Sequence, residues 1–187
     1  MSRLTEVRLR ELYTGTLQLV AEHGYDKLTM DQIAEATRSS KATLYRQWGS
    51  KSALVVEAMR CVGGAEEALP DTGTLRGDLM AMIDDNENKD KDPDVLLAII
   101  HAVRQDDELA HAMRTEILEP GRERIRTVIG RAVDRGEVAE DCPALPFVDY
   151  VFIAPIILHH LIEGEEPAAE FLRRYFDGAL LPALGIN

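Results

Sequence analysis

Apolar positions recur along this chain at intervals of three and four residues, without the regular alternation of a half-buried strand, so the pattern predicts an all-α protein. Between residues 5 and 23, Leu9, Leu12, Thr16, Leu19 and Val20 fall near one helical face, and Gly24 is placed as a left-handed terminator. Thr29-Met30-Asp31-Gln32 then fits a capping box, the threonine hydroxyl accepting from the Gln32 amide while the Gln32 side chain reaches back. Ile33, Ala34 and Ala36 give the helix that follows a small apolar face. The hydroxyls of Thr37, Ser39 and Ser40 are suited to end it and begin another. In that next helix Leu44 and Trp48, four residues apart, point inward and leave Lys41, Ala42, Thr43, Tyr45 and Arg46 outward. The pattern thus predicts two short helices joined by a tight turn.

Further on, Ser50 is the expected cap of a fourth helix through Ala53, Leu54, Val56, Ala58 and Met59 to Val62, interrupted by Gly63-Gly64. The turn-rich AEEALPDTG marks a seam, and a fifth helix is expected from Leu75 to Asp84. DDNENKDKDPD reads as a solvated loop, without the ordered D-x-D-x-D-G pattern of a calcium site. The sixth helix, Pro93 to about Arg104, is apolar nearly all round and is expected at the buried centre. Pro120-Gly121 is expected to break or kink the chain between Glu108–Leu118 and Arg122–Arg135. Two last helices, roughly 146–163 with a kink at Pro155 and 167–181, carry broad apolar stripes.

Charge changes the picture most at residues 38–51. The whole chain has a formal net charge of -12, yet Arg38, Lys41, Arg46 and Lys51 are the only charged residues in this stretch. The first 51 residues balance at +2, which leaves -14 on the remainder. An amphipathic helix presenting Lys, Thr, Tyr and Arg beside a small Ala, held by a partner helix, has the build of a helix-turn-helix reader of the DNA major groove. The acidic remainder points to a partner other than phosphate. Lys51, in the first turn of its helix, opposes the helix dipole, which makes more sense beside a phosphate.

These residues carry a family resemblance. LVAEHGY, then LTMDQIAEATRSSKATLYRQWGSKSAL, resembles the DNA-binding domain of the TetR family of transcriptional repressors over roughly the first third of the chain. Arg38 and Ser39 stand where that family more often has Gly and Val, Ala42 where it often has Gly, and Gly49 where Pro is common. Arg38 must therefore accept a turn conformation that glycine takes freely. The resemblance implies a DNA-binding domain at 1–51 and a helical regulatory, ligand-binding and dimerisation domain at 52–187. It also implies a homodimeric repressor, released from its operator by a small-molecule effector. Lys51, Tyr45 and Thr29 are expected at phosphates, and Ser40, Lys41, Ala42, Thr43 and Arg46 in or beside the major groove.

The other candidates are weaker. His101 and Arg104 interrupt an apolar helix, and with Leu97, Ile100 and Met113 they either line an effector pocket or form a buried pair satisfied by Asp106 or Asp107. Phe147, Val151 and Leu158 on one terminal helix, with Phe171, Leu172, Tyr175 and Phe176 on the other, are the expected dimer interface, a four-helix bundle formed by two copies. No catalytic motif is present, and the adjacent His159 and His160 point to different helix faces, which disfavours a metal site with Glu163. No cofactor and no enzymatic activity are expected. Cys61 and Cys142 are too few and too far apart for a disulfide framework, and the amino terminus lacks the apolar core of a signal peptide; a cytoplasmic protein follows as the expectation. A helical protein-interaction module that uses the acidic domain, without operator binding, is the rival reading.

Overall fold

The computed structural model describes residues 5–63, 68–87, 93–165 and 167–186, and every regular element among them is helical. Four helices open the chain: α1 (Glu6–His23), α2 (Met30–Ala36), α3 (Lys41–Trp48) and α4 (Lys51–Val62). They are followed by α5 (Leu75–Glu87), α6 (Pro93–Ala102), α7 (Asp107–Met113) and α8 (Glu119–Asp134). The last are α9 (Val148–Glu163), α10 (Ala169–Tyr175) and α11 (Leu181–Ala183). The chain divides into two compact units, one of residues 1–66 with 90–120 and one of 67–89 with 121–187. Packing thus divides the chain elsewhere than at the boundary expected after Lys51, because α4, α6 and α7 belong with the reader helices.

In the first unit, α1 is the spine. Leu12 and Val20 are fully buried, and α1 packs on α2, α4 and α6. Ile33 of α2, Leu44 of α3 and Leu54 of α4 are likewise sealed from water in one cluster. The α6 helix is not the all-round buried element that its sequence predicts. Val95, Ile99 and Ala102 are buried, whereas Leu97 and His101 are exposed, since only one face of α6 meets its neighbours. Gly24 has φ 77 with ψ 150, so the positive φ is present but the left-handed helical turn is not.

The second unit gathers Leu75 and Leu79 of α5, Ile125 and Val128 of α8, and Leu172, Phe176 and Leu180 around one core. The α5 helix runs on to Glu87, beyond the predicted Asp84; residues 88–92 of the charged run, like Gly64 of the Gly-Gly pair, lie outside the described residues.

Three prolines sit inside helical stretches, and the backbone accommodates them in two ways. Of the break or kink expected at Pro120, the break is not found: a π turn, Arg114–Leu118, leads into α8, which continues through Pro120, with the Glu119 amide donating to the Arg114 carbonyl. A second π turn, Phe176–Leu180, precedes Pro182 in the same manner, its last bond running from the Leu181 amide to the Phe176 carbonyl. A proline clashes with the carbonyl four residues back; widening the helix just before the ring relieves that clash. Pro155 has no π turn. The chain bends by 44° there, and the Val151 carbonyl, which Pro155 cannot serve, accepts a hydrogen bond from the Tyr175 hydroxyl at 3.0 Å.

Candidate nucleic-acid interface

The reader is built from caps. Thr29 closes a capping box with Gln32: the Gln32 amide donates to Thr29 Oγ1 at 3.3 Å and the Thr29 amide to Gln32 Oε1 at 2.8 Å. Ser40 caps α3 by accepting from the Thr43 amide at 3.1 Å, and Ser50 caps α4 by accepting from the Ala53 amide at 3.2 Å. Between α2 and α3 the chain turns with the Ser39 amide on the Ala34 carbonyl at 2.8 Å and the Arg38 amide on the Glu35 carbonyl at 3.1 Å. This is a Schellman closure, which places Arg38 in the position that glycine usually fills. Arg38 has φ 50 and is the one non-glycine residue with positive φ among the described residues.

Above this frame α3 is two-faced. Leu44 is fully buried and Trp48 is 9% exposed, with the Tyr13 ring edge-on at 6.0 Å between centroids. Ser40, Lys41, Ala42, Tyr45 and Arg46 are exposed and Thr43 is half-buried, so the structure brings the predicted groove set together on one surface. Gln47, which the sequence reading leaves out, is exposed as well. Asp31 of α2 was also unanticipated. It pairs with Lys41 at 2.7 Å and raises the pKa of that ammonium through the hydrogen bond first and charge second. The pair is exposed on both sides, and such pairs are weak and screened by salt, so a phosphate or base can displace the carboxylate.

Two of the predicted phosphate contacts are occupied otherwise. Thr29 has both donors engaged, since its amide and its hydroxyl reach Gln32 Oε1, the hydroxyl at 2.9 Å. Its hydroxyl can donate to a phosphate only by releasing Gln32 Oε1, while it still accepts from the Gln32 amide. Lys51 folds inward: Nζ donates to the Tyr25 carbonyl at 2.9 Å and the Leu28 carbonyl at 3.0 Å, and lies 3.9 Å from the centroid of the Tyr25 ring. Burial lowers its pKa, against the opposing pull of Asp106 and Asp26. Carbonyls and an aromatic face at close range thus offset the adverse helix dipole, where the sequence suggested a phosphate. One N–H remains for an outside acceptor.

Lys51 belongs to a polar joint that sequence patterns did not reveal, because its members are far apart in the chain. The Tyr25 hydroxyl donates to Asp106 Oδ2 at 3.0 Å, and Ser52 Oγ to Glu108 Oε1 at 2.7 Å. Asp106 also caps α7 through the Leu109 amide at 2.9 Å. That amide bond is the leading cause holding the Asp106 pKa below the usual carboxylate value, and bonds from Ser50 and Ser52 do the same for Glu108. Burial, reinforced by Asp106, pushes the Tyr25 hydroxyl well above the ordinary tyrosine value. The joint ties the α1–α2 turn and the start of α4 to the start of α7.

The remaining candidates separate. His101 and Arg104 are exposed, Leu97 is exposed, Ile100 is half-buried and Met113 is buried. His101 lies 3.8 Å from Asp26 rather than beside Asp106 or Asp107, so it forms neither the pocket lining nor the buried pair anticipated for it. An open groove of about 500 Å³ lies instead in the second unit, lined by Arg126, Ile129, Val133, Leu145, Pro146 and Val148, among others. Of the seven residues expected at the dimer interface, Phe147, Leu158 and Phe171 are exposed and Val151 is half-buried. Leu172 and Phe176 lie in their own unit's core, and the Tyr175 hydroxyl is spent on Val151, so these three serve the monomer. Tyr150, Leu161 and Ile162, not foreseen, are 71%, 75% and 72% exposed. Among the described residues no single helix is long and apolar enough to cross a membrane.

A capped helix-turn-helix with a polar, cation-bearing α3 above an apolar seat defines a DNA-binding protein. Comparison with known proteins gives the family. Residues 12–58 match the family described as bacterial regulatory proteins, tetR family, and residues 69–179 match the tetracyclin repressor-like C-terminal domain. The chain belongs to the TetR family of DNA-binding transcriptional regulators. An uncharacterized HTH-type transcriptional regulator of Mycobacterium tuberculosis is 30% identical over 180 residues, covering 95% of this chain and 88% of the relative. The DNA-binding transcriptional repressor TetR of Mycobacteroides abscessus is 30% identical over 179 residues, covering 94% and 93%. Among solved structures, the TetR family transcription regulator SCO0332 superposes with a TM-score of 0.62 at 26% identity, covering 96% of this chain and 98% of its own. These relatives are regulators of transcription rather than enzymes.

Proposed function

We propose that this protein is a homodimeric repressor that holds a roughly palindromic operator until a small molecule in its C-terminal domain releases it. The observation that carries the reading is the two-faced α3, which presents Lys41, Ala42, Tyr45 and Arg46 to solvent over a seat of Leu44 and Trp48. Ser40, Lys41, Ala42, Thr43 and Arg46 address base edges, Tyr45 a phosphate, and Lys51 a phosphate through its remaining N–H. Two copies are needed because half-sites lie about 34 Å apart on one face of the duplex. The exposed apolar side of α9, with Tyr150, Leu158, Leu161 and Ile162, supports self-pairing of that helix. Repression as the direction of control is supported by the Mycobacteroides relative, whose name says it represses.

Release follows by population shift: an effector that binds better to a form with the readers wrongly spaced draws the protein off its operator. The polar joint at Tyr25, Ser52, Asp106 and Glu108 gives a route by which α7 and the Lys51–Val62 helix bear on the reader. The protein would act in the cytoplasm, where its operator lies.

Selection of bound duplexes from a random library, followed by mobility shift, tests the reading. A palindromic consensus retarded by a dimer is expected. Recovery of no preferred sequence, with monomeric behaviour in solution, would favour a protein-interaction module instead.

A further inference from the structure

Arg38 occupies a position for which its side chain is poorly suited. At the first residue past the C-cap of a Schellman closure the backbone must enter the left-handed region, where a Cβ crowds the following carbonyl and glycine is most at ease. The surroundings hold it there from several sides. The Ser39 and Arg38 amides close the turn on Ala34 and Glu35, the Thr37 hydroxyl donates to the Ile33 carbonyl at 2.6 Å, and the Arg8 guanidinium from α1 holds the Thr37 carbonyl. A backbone outlier so over-determined points to a reason for the side chain it carries.

The guanidinium itself supplies no internal reason. Arg38 is exposed, and its guanidinium makes no hydrogen bond or ion pair with any described residue. Of the four cations of the helix-turn-helix, Lys41 is held by Asp31 and Lys51 by two carbonyls, while the heads of Arg38 and Arg46 are unengaged among the described residues. Arg46 stands on α3; Arg38 stands on the turn between α2, the helix that crosses the sugar-phosphate backbone in a docked helix-turn-helix, and the groove-reading amino end of α3.

We propose that Arg38 is a phosphate-binding residue that fixes how α3 is seated in the major groove, and that the strained turn is retained for the sake of this contact. The proposal rests on the operator reading above. A purely local role is the competing account, in which the cation stabilises the carboxyl end of α2, a helix with no basic residue in its last turn. The two accounts differ in sign. If the contact is with phosphate, removing the side chain weakens DNA binding while the fold is unharmed or improved. If the role is local, removing it lowers stability and leaves DNA binding alone.

The test uses the full-length protein and a duplex selected from a random library. Affinity is titrated against salt for wild type, Arg38→Gly and Arg38→Lys, and the Tm of each is measured without DNA. The proposal expects Arg38→Gly to bind more weakly, with a slope of log K against log salt reduced by about 1.8, the release associated with two phosphates, one for each protomer. It expects Arg38→Lys to keep the wild-type slope, and the Tm of Arg38→Gly to equal or exceed that of wild type. Wild-type affinity and slope in Arg38→Gly would overturn the proposal, whatever its Tm. Failure of the wild-type protein to select any duplex would instead overturn the operator reading, and this inference with it.

Discussion

The outward faces of α3 and α9 are opposite in chemistry. On α3 the exposed residues Lys41, Tyr45, Arg46 and Gln47 are polar or carry a polar tip, and they stand in water without penalty. On α9 the exposed residues Tyr150, Leu158, Leu161 and Ile162 are mostly hydrocarbon, and leaving such surface wet costs about 25 cal/mol per Å². A face of the first kind can wait for a ligand; a face of the second kind calls for permanent cover. The difference supports the proposed division between recognition of DNA at α3 and self-association at α9.

The largest expected effect breaks the seat of the first face. Leu44→Ala empties a fully buried site between α3 and its neighbours, and should cost about 2–5 kcal/mol in denaturant unfolding. DNA binding should disappear with the headpiece. Leu161→Glu together with Ile162→Glu addresses the second face. Helicity by circular dichroism should be unchanged while sedimentation shows a monomer, because charged groups there oppose pairing and not folding. If the double variant unfolds, that face is core and the comparison fails.

Tyr175→Phe sharpens the boundary between interface and core. It leaves the Val151 carbonyl beside Pro155 without its donor, which should lower unfolding free energy by about 1–3 kcal/mol while the protein stays dimeric. Arg46→Ala should leave stability intact and relax preference at one base position by about 1–3 kcal/mol, read from competition among duplex variants.

The smallest effect concerns the polar joint. Asp106 has its folded-state pKa depressed, so the stability it contributes is present above the ordinary carboxylate pKa and is lost as pH falls through the lower folded value. Acid titration should show this loss below about pH 4. The acid limb should be shallower in Asp106→Asn.

How much of this was legible beforehand follows from the same contrast. Where two faces of a helix differ in chemistry, spacing reveals them: Leu44 and Trp48 against Lys41, Tyr45 and Arg46 needed no coordinates, and neither did the Thr29–Gln32 box, which is local. Where both faces are apolar, spacing cannot say which is wet. Thus Leu172 and Phe176 were placed at an interface although they are core, and Leu161 and Ile162 were overlooked. The apolar run of α6 is similar, since hydrophobicity alone does not show that Val95, Ile99 and Ala102 are buried while Leu97 stays wet. How the helix passes Pro120 was not legible, because it depends on a π turn, and no residue pattern announced one. The joint of Tyr25 with Asp106 was invisible because it links residues distant in sequence.

The central claim is that the cationic face of α3, duplicated by pairing, meets two successive major-groove segments. Hydroxyl-radical footprinting of the wild-type protein on its selected duplex measures this most directly. The account predicts two symmetric protected tracts centred about 34 Å apart, and their joint loss in the Leu161→Glu, Ile162→Glu variant. A single tract, or protection that survives in the monomeric variant, would contradict it.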